Sequence, residues 1–271
     1  MLPFISYFGQ QIPTYSLIGI TAIVISATVA ALRGKQRGYA KPDGLVFTGS
    51  DMTFIAAFAG IGAVAGGMLL FAVTQAPKLV QHGWLAARDF FGVVSGLFGG
   101  MVFYGGLFGS IGAVWFYCRF MKLSFGAVMK LVLPVFPLAH AIMRLGCFAA
   151  GCCYGIEHPP PFGVMFTRAL SAPSNIHLLP VQLLEAFVNL AIFMAVWQFT
   201  KRERGWEVIA GLYGLMYSFM RFFIEFFRGD ALRGFVFGLS TSQFISIFVF
   251  FMSGFVLIAY RFGKMQRDLE Q

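Results

Sequence analysis

Charged residues are scarce in this sequence. Only 11% of its 271 residues are Asp, Glu, Lys or Arg, against roughly 25% in an average soluble domain. A soluble fold of this size would need far more polar surface to stay dispersed in water, so the composition excludes an ordinary soluble protein. Hydrophobic residues make up 58% of the chain, and Phe alone occurs 34 times. The lipid bilayer must therefore be the main solvent of this protein.

Basic residues are absent from the stretch ahead of the first apolar run. The first is Arg33, which follows that run, whereas a cleavable signal peptide carries its positive charge before its apolar core. We therefore expect the N-terminus to be retained. No stretch is polar enough and long enough for a soluble domain, so we expect residues 1–271 to form a single integral membrane domain.

Seven apolar runs are each near the ~20 residues that cross a bilayer as a helix. They cover residues 14–32, 52–73, 92–117, 131–153, 180–200, 207–227 and 239–260. The sequence therefore predicts an all-α polytopic membrane protein with about seven transmembrane helices. Pro159, Pro160 and Pro161 exclude a helix from the loop at 156–178, because proline breaks a helix interior.

The basic residues outside the runs are distributed unequally between the two sides of the membrane. Thirteen lie on the side of the C-terminus, and five lie on the side of the N-terminus. The thirteen are Arg33, Lys35, Arg37, Lys41, Arg119, Lys122, Lys130, Lys201, Arg202, Arg204, Arg261, Lys264 and Arg267, and the five are Lys78, Arg88, Arg168, Arg228 and Arg233. Because basic loops stay in the cytoplasm, we expect the N-terminus outside and the C-terminus inside. Short basic clusters between apolar runs indicate topology rather than nucleic-acid binding, despite the net charge of +9.

Glycine recurs at four-residue intervals in the second and third runs. The positions are Gly62, Gly66, Gly92, Gly96, Gly100, Gly105 and Gly109. This spacing lets helix backbones approach closely in lipid, so we expect these glycines to serve helix packing.

Three of the runs contain ionisable residues, although a charge at the centre of a bilayer costs roughly 2.5–3.5 kcal/mol on insertion scales. Arg144 lies in the fourth run, Glu185 in the fifth, and Arg221 with Glu225 in the sixth. The predicted topology places all of them toward the outer leaflet. We therefore expect the helix faces that carry them to border a shared cavity.

Spacing places further polar side chains on the same helix faces. Tyr217, Arg221 and Glu225 follow one another at four-residue intervals with Arg228 just beyond, and His140 lies one turn before Arg144. One interpretation is an internal salt-bridge set, which suits Glu225. The basic groups nevertheless outnumber the acidic ones. An excess of guanidinium at leaflet depth favours an anionic lipid headgroup, since arginine binds phosphate through two parallel hydrogen bonds.

Several stretches of the sequence resemble one family of membrane enzymes. They are Pro13-Thr14-Tyr15, Phe103-Tyr104-Gly105-Gly106-Leu107, Arg144-Leu145-Gly146-Cys147-Phe148 with Gly151 and Gly155, and Tyr217-Ser218-Phe219-Met220-Arg221 with Ile224-Glu225-Phe226-Phe227-Arg228. Weaker similarity covers Leu179-Pro180-Val181-Gln182-Leu183-Leu184-Glu185 and Ser242-Gln243-Phe244-Ile245-Ser246. In content and order, these stretches resemble the prolipoprotein diacylglyceryl transferase family.

The resemblance implies a reaction and its partners. Such enzymes move the diacylglyceryl group of phosphatidylglycerol onto the lipobox cysteine thiol of a prolipoprotein, at the periplasmic leaflet of the inner membrane. A thioether and glycerol phosphate are the products. The partners would be phosphatidylglycerol and the signal peptide of the precursor, within membrane lipid and without nucleic acid.

The resemblance also implies roles for individual residues. Arg144 and Arg221 match essential arginines of the family, and we assign them to the phosphate or its glycerol. The expected substrate-binding residues are Tyr15, Cys147, Gly155, Tyr217, Glu225 and Arg228.

Three positions depart from the family pattern and indicate a divergent branch. Tyr104 stands where the family usually has His, Cys147 where it has Asn, and Cys152 where it has Glu. We keep Tyr104 as a catalytic candidate that donates a hydrogen bond, since a phenol with a pKa of about 10 is a poor base. His140 is the candidate for the missing general base, because imidazole titrates near neutral pH. Its alternative is a hydrogen-bonded helix histidine.

The cysteines allow several interpretations. We expect Cys147, Cys152 and Cys153 to pack as small apolar residues, because a vicinal pair is poorly spaced for the usual Cys-x-x-Cys metal geometry. We therefore predict no metal and no cofactor. A metal site and a thiol that carries the lipid transiently are the alternatives.

Two other functions compete with lipid transfer. A paralogue with the same fold would bind lipid, or modify another acceptor. A small-molecule transporter would place its polar residues near the bilayer midplane, often in repeated halves. The one-sided charges and the lack of a visible repeat favour the transferase over the transporter.

Overall fold

The computed structural model describes residues 2–7, 10–39, 41, 44–81, 103–229, 235–236 and 238–269. Seven α-helices lie in these ranges. They are α1 (Thr14–Arg37), α2 (Gly49–Gln81), α3 (Phe103–Phe120), α4 (Phe125–Ala150), α5 (Val181–Phe199), α6 (Trp206–Ile224) and α7 (Thr241–Leu269). A 3₁₀ turn, Glu225–Phe227, continues α6.

Six of the described helices are long and apolar enough to cross a membrane, namely α1, α2, α4, α5, α6 and α7. This confirms the prediction of an all-α, multi-pass membrane protein. The third predicted span, 92–117, falls partly outside the described residues, and α3 covers the rest of it. The prediction of a single domain and the direction of the N-terminus stay predictions.

The helix ends follow local chemistry rather than the ends of the apolar runs. Helix α1 extends past the predicted residue 32, because Lys35 and Arg37 occupy its last turn, where a positive charge interacts favourably with the helix dipole. Helix α4 stops at Ala150, earlier than predicted, because Gly151 takes the left-handed φ of +67° that commonly ends a helix.

Three short antiparallel hairpins accompany the helices. Their strands are β1 (Phe4–Tyr7) with β2 (Gln10–Pro13), β3 (Val164–Met165) with β4 (His177–Leu178), and β5 (Phe235–Val236) with β6 (Leu239–Ser240). The second hairpin lies in the long loop between α4 and α5, where the prolines were predicted to exclude a helix. The loop is non-helical throughout, as predicted.

The chain divides into two compact units. One unit comprises Ala31–Val128, and the other comprises Met1–Ala30 with Met129–Gln271. In the first unit, α2 and α3 pack through glycines: a Cβ atom on Gly109 would lie 2.1 Å from the carbonyl oxygen of Gly62, and one on Gly66 would lie 2.3 Å from that of Gly105. These glycines thus have the packing role predicted for them, whereas Gly92, Gly96 and Gly100 lie outside the described residues.

The core of the second unit lies between α5 and α6. Its buried side chains are Val181, Val188, Ile192, Val196, Ile209 and Ile224. Helix α1 packs on α4, where a Cβ atom on Gly146 would lie 3.3 Å from Ile18 and 3.4 Å from Tyr15. The polar residues of the candidate site are carried mainly by α4, α5 and α6.

Candidate active site

Glu185 of α5 holds three arginines from other parts of the same unit. Its Oε1 lies 2.9 Å from Arg221 Nη1 and 3.1 Å from Arg228 Nη1, and its Oε2 lies 2.5 Å from Arg144 Nε. The Glu185 side chain is 4% exposed, and the three arginine side chains are between 3% and 15% exposed. One buried carboxylate therefore joins the end of α4, the end of α6 and the segment after it.

A second carboxylate completes the ion-pair network. Glu225 Oε2 lies 2.8 Å from Arg221 Nη2, one turn earlier on the chain. Glu225 Oε1 accepts a hydrogen bond from Ser240 Oγ at 2.9 Å, and Arg221 Nη2 donates to Ser242 Oγ at 3.3 Å. Glu225 thus takes the structural role that the salt-bridge interpretation gave it, and its role in binding substrate stays a prediction.

A capping box at the start of α7 positions Ser240 for this contact. The backbone N–H of Gln243 donates to Ser240 Oγ at 3.1 Å, while the backbone N–H of Ser240 donates to Gln243 Oε1 at 3.0 Å. This reciprocal pair satisfies two backbone groups that a helix start would leave open. It also leaves the Ser240 hydroxyl hydrogen to bond Glu225.

His140 and Tyr217 flank Arg144. The Arg144 Nε–H group donates to His140 Nε2 at 3.3 Å, and the rings of His140 and Tyr217 have centroids 5.3 Å apart. The hydrogen of Nε is directed at the imidazole, so Glu185 Oε2 accepts no hydrogen bond from the described residues and is held to Arg144 by charge alone. The structure thus brings three of the predicted residues together, with the Nε2 lone pair of His140 already occupied.

Gly155 ties the loop after α4 to the segment after α6. It forms an antiparallel bridge with Arg228, and the neighbouring N–H of Ile156 donates to the Phe227 carbonyl at 2.9 Å. A Cβ atom on Gly155 would lie 2.6 Å from the Leu179 oxygen. The close approach expected of this glycine is therefore made to the protein's own backbone and holds Arg228 in place, while contact with substrate stays a prediction.

The two remaining tyrosines belong to different units. Tyr15, on the first turn of α1, lies against Gly146 and within electrostatic range of Arg144 and the nearby thiols. Tyr104 is on the first turn of α3 in the unit Ala31–Val128. The roles of both tyrosines stay predictions.

The three cysteines after Arg144 lie closer together than the sequence suggested. The sulfur atoms of Cys147, Cys152 and Cys153 are all within 4.8 Å of one another, and all three thiols are free. Gln182 Nε2 donates to the Cys152 carbonyl at 2.7 Å and fixes the turn that carries the pair. The structure thus brings the three thiols together, and our expectation that they serve as small apolar packing residues stays a prediction.

Several residues of the site had been given no role of their own from the sequence. They are Glu185 itself, Gln182, Ser240, Ser242 and Gln243. The sequence does indicate a role for Glu185, because an acidic residue inside an apolar run needs a partner there. For the serines and Gln243 the indication in the sequence is weaker. It is the capping-box pattern Ser-x-x-Gln directly before an apolar run.

Among the described residues, the ion-pair network contains more arginines than acidic residues. The three guanidinium groups oppose two carboxylates, and arginine does not lose its proton in proteins. Such a cluster of arginines, at the end of apolar helices, suits an anionic ligand with an apolar body. A phosphodiester lipid has both properties.

Comparison with known proteins agrees with this chemistry. The sequence profile of the family described as prolipoprotein diacylglyceryl transferase matches residues 3–260. The phosphatidylglycerol–prolipoprotein diacylglyceryl transferase of Clostridium tetani is 35% identical over 259 residues, which is 95% of this chain and 96% of that protein. The phosphatidylglycerol–prolipoprotein diacylglyceryl transferase 2 of Clostridium perfringens is 31% identical over 260 residues, 96% of this chain and 94% of that protein. This chain therefore belongs to the prolipoprotein diacylglyceryl transferase family.

Proposed function

We propose that this protein transfers the diacylglyceryl group of phosphatidylglycerol to the lipobox cysteine of prolipoproteins. The observation that carries the proposal is the buried cluster in which the guanidinium groups of Arg144, Arg221 and Arg228 lie beside the carboxylates of Glu185 and Glu225. The phosphodiester of phosphatidylglycerol carries one negative charge. Its binding at Arg144 and Arg221 would place a negative charge beside buried guanidinium groups, which is favourable because a buried charge is costly unless it is paired.

Arg144 is the arginine best prepared to bind the phosphate. Among the described residues, its contacts with Glu185 and His140 are both made by Nε. The two terminal nitrogens are therefore the donors available to a ligand, and they can bind two phosphate oxygens in parallel. Arg221 contacts Glu185 through Nη1 and Glu225 through Nη2. Its positive charge on α6 would therefore stabilise the phosphate that Arg144 binds from α4.

Buried acceptors beside Glu185 suit the glycerol of the headgroup. Gln182 and Asn189 lie one turn before and one turn after Glu185, and both are almost fully buried. Gln182 Oε1 and Asn189 Oδ1 accept no hydrogen bond from the described residues. Since an unsatisfied buried acceptor is destabilising by about 1–3 kcal/mol, a hydroxyl donor from the lipid would stabilise this face of α5.

The arginines would act at the bond that breaks. When the acceptor thiolate attacks the glycerol carbon that bears the phosphate, negative charge grows on the departing phosphate oxygen. Fixed donors aimed at such a charge commonly account for about 10²–10³ in rate each. Tyr104 and His140 remain our sequence-based candidates for the hydrogen bond and for the base.

The site would face the outer leaflet of a bacterial inner membrane. The distribution of basic residues supports this direction, because thirteen lie on the predicted cytoplasmic side and such residues are retained there. The lipobox cysteine of an exported precursor would reach the site from the same side.

The decisive experiment uses cells depleted of their own transferase. The chain is expressed with a reporter prolipoprotein, and the precursor is examined by intact mass. We expect the mass to increase by one diacylglyceryl group, and an Arg144→Ala variant that inserts normally should abolish the increase. An unmodified precursor in the presence of folded, inserted wild-type protein would contradict the proposal and favour a paralogue that acts on another acceptor.

A further inference from the structure

We propose that Cys147, Cys152 and Cys153 form a binding site for one thiophilic divalent cation, with zinc the best match. The three sulfur atoms lie within 4.8 Å of one another, and none is in a disulfide. The sequence alone predicted no metal. The structure supplies what the spacing of the cysteines could not, namely the course of the backbone between them.

The end of α4 brings the first two thiols together. The N–H of Cys152 donates to the Cys147 carbonyl at 3.1 Å, and the N–H of Gly151 donates to the Phe148 carbonyl at 3.2 Å. These are the two bonds of a Schellman motif, which places the residue after the glycine against the residue three positions before the helix cap. In this chain the two residues in contact are Cys152 and Cys147, at positions where a Schellman motif frequently has a hydrophobic pair.

A second left-handed residue brings in the third thiol. Cys153 has φ of +57°, a region that residues with a Cβ atom seldom occupy. Neighbouring side chains in an extended segment point to opposite sides, and this turn lets Cys153 join its neighbour instead. Strained backbone of this kind is concentrated at functional sites.

The separations fit tetrahedral coordination by thiolates. With Zn–S bonds of about 2.3 Å, tetrahedral geometry places two sulfur ligands about 3.8 Å apart. The observed sulfur–sulfur distances are at most 4.8 Å. Rotation of the partly exposed side chains of Cys152 and Cys153 can shorten them to the tetrahedral distance. Three protein ligands also leave the fourth position open, as in catalytic rather than structural zinc sites.

The surroundings compensate the charge of such a site. Three thiolates around a divalent cation carry one net negative charge, and the Arg228 guanidinium interacts with Cys153. Arg228 in turn contacts Glu185 at 3.1 Å. The proposed cation would therefore be bound beside the arginine network, through one shared residue.

The open position suggests what the cation does, and this step rests on the proposed function. A thiol that binds zinc is deprotonated outright, so the acceptor cysteine would release its proton to water on binding. The sulfur lone pair would then form the bond to the glycerol carbon, and the carbon–oxygen bond would break with its electrons staying on the phosphate. The cation would thus supply the thiolate in a chain that has Tyr104 where the family usually has histidine.

Metal content of the purified full-length chain tests the site directly. The protein is extracted in detergent without oxygen, treated with a chelator, and titrated with zinc sulfate or cobalt chloride. We expect about one ion per chain and, with cobalt, the near-ultraviolet absorption of thiolate ligands. The variant Cys147→Ser/Cys152→Ser/Cys153→Ser should bind at least roughly tenfold less, whereas Cys118→Ala, which removes a buried thiol of α3, should bind as the wild type does.

A second measurement covers variants that fail to fold. Wild-type protein is alkylated with and without zinc, and the modified cysteines are mapped by peptide mass. Zinc should protect Cys147, Cys152 and Cys153 but leave Cys118 unchanged. Metal content below stoichiometry, equal protection of all four cysteines, or a disulfide among the three in protein kept free of oxygen would each overturn the proposal.

The outcomes separate this site from the proposed function. Lipidation of the reporter by protein without bound metal would contradict the proposed cation site and support the proposed transferase activity. Stoichiometric metal held by the three cysteines without lipidation would leave the cation site and remove prolipoprotein as the acceptor.

Discussion

Arg221 Nη1 and Glu185 Oε1 lie 2.9 Å apart and join α6 to α5 inside the predicted membrane region. The same carboxylate contacts Arg144 and Arg228. Each guanidinium thus depends on one acid for much of its compensating charge. The arrangement of the arginines that we propose to bind phosphate is therefore set by Glu185.

Replacing Glu185 should destabilise the protein strongly. Glu185→Gln keeps the shape of the side chain but removes the negative charge that Arg144, Arg221 and Arg228 share. Removing one partner of a buried ion pair costs about 3–5 kcal/mol, so we expect a clear fall in the thermal midpoint in detergent. Glu203→Gln is the matched control, because Glu203 pairs with Lys130 at 3.8 Å and its side chain is 58% exposed. Equal midpoints for the two variants would contradict the central role of Glu185.

Arginine at positions 144 and 221 should not be replaceable by lysine. Arg144→Lys and Arg221→Lys keep the charge but lose the planar pair of donors. We expect the rate of lipid transfer to fall by about 10²–10³, measured by intact mass of a reporter peptide in vesicles that contain phosphatidylglycerol. Arg168→Lys, at an exposed loop position, should be unaffected. A near wild-type rate in either site variant would contradict our assignment of phosphate binding to that arginine.

The helices and the two central arginines were predictable because lipid imposes a strong rule. An apolar run near the length of the bilayer must be helical, and a charge within it needs a partner. These two constraints are local in sequence. They sufficed for the multi-pass fold and for singling out Arg144 and Arg221.

The contacts within the site were not predictable in the same way. The pairing of Glu185 with Arg221 joins residues 36 positions apart, and no local pattern specifies it. The thiol cluster depends on the left-handed φ of Gly151 and Cys153. Glycine just after a helix is a known signal for the first of these turns, but no sequence rule predicts a left-handed cysteine.

Close packing of α2 on α3 gives a test within the unit Ala31–Val128. A Cβ atom on Gly109 would lie 2.1 Å from the Gly62 oxygen, whereas one on Gly112 would meet nothing within 4 Å. We expect Gly109→Ala to lower the free energy of unfolding by about 1–3 kcal/mol and Gly112→Ala to leave it near the wild-type value. Thermal unfolding in detergent measures both. Equal thermal midpoints for Gly109→Ala and Gly112→Ala would contradict the close contact between α2 and α3 at Gly109.

Ser240 should contribute to stability through two separate bonds. Its hydroxyl caps α7 by accepting from Gln243 and also donates to Glu225. Ser240→Ala should cost about 1 kcal/mol for the cap and roughly a further 1–3 kcal/mol for the hydrogen bond lost to the buried Glu225 carboxylate. Ser240→Thr keeps the hydroxyl and should recover most of the loss, while Ser174→Ala at an exposed loop position serves as the control. If Ser240→Thr lowers the stability as much as Ser240→Ala does, the result would argue against both hydrogen bonds.

His140 offers a test of whether the residue orients Arg144 or removes a proton. Its Nε2 accepts the Arg144 Nε–H group at 3.3 Å, so proton removal would require that bond to open first. We expect His140→Gln, whose amide oxygen can accept the same bond, to retain most of the transfer rate with an unchanged pH profile, and His140→Ala to lose it. Rates are measured across pH 5–9 with wild-type protein as the reference. Loss of transfer in both variants, together with loss of a titration step near neutral pH in any residual activity, would instead identify His140 as the base.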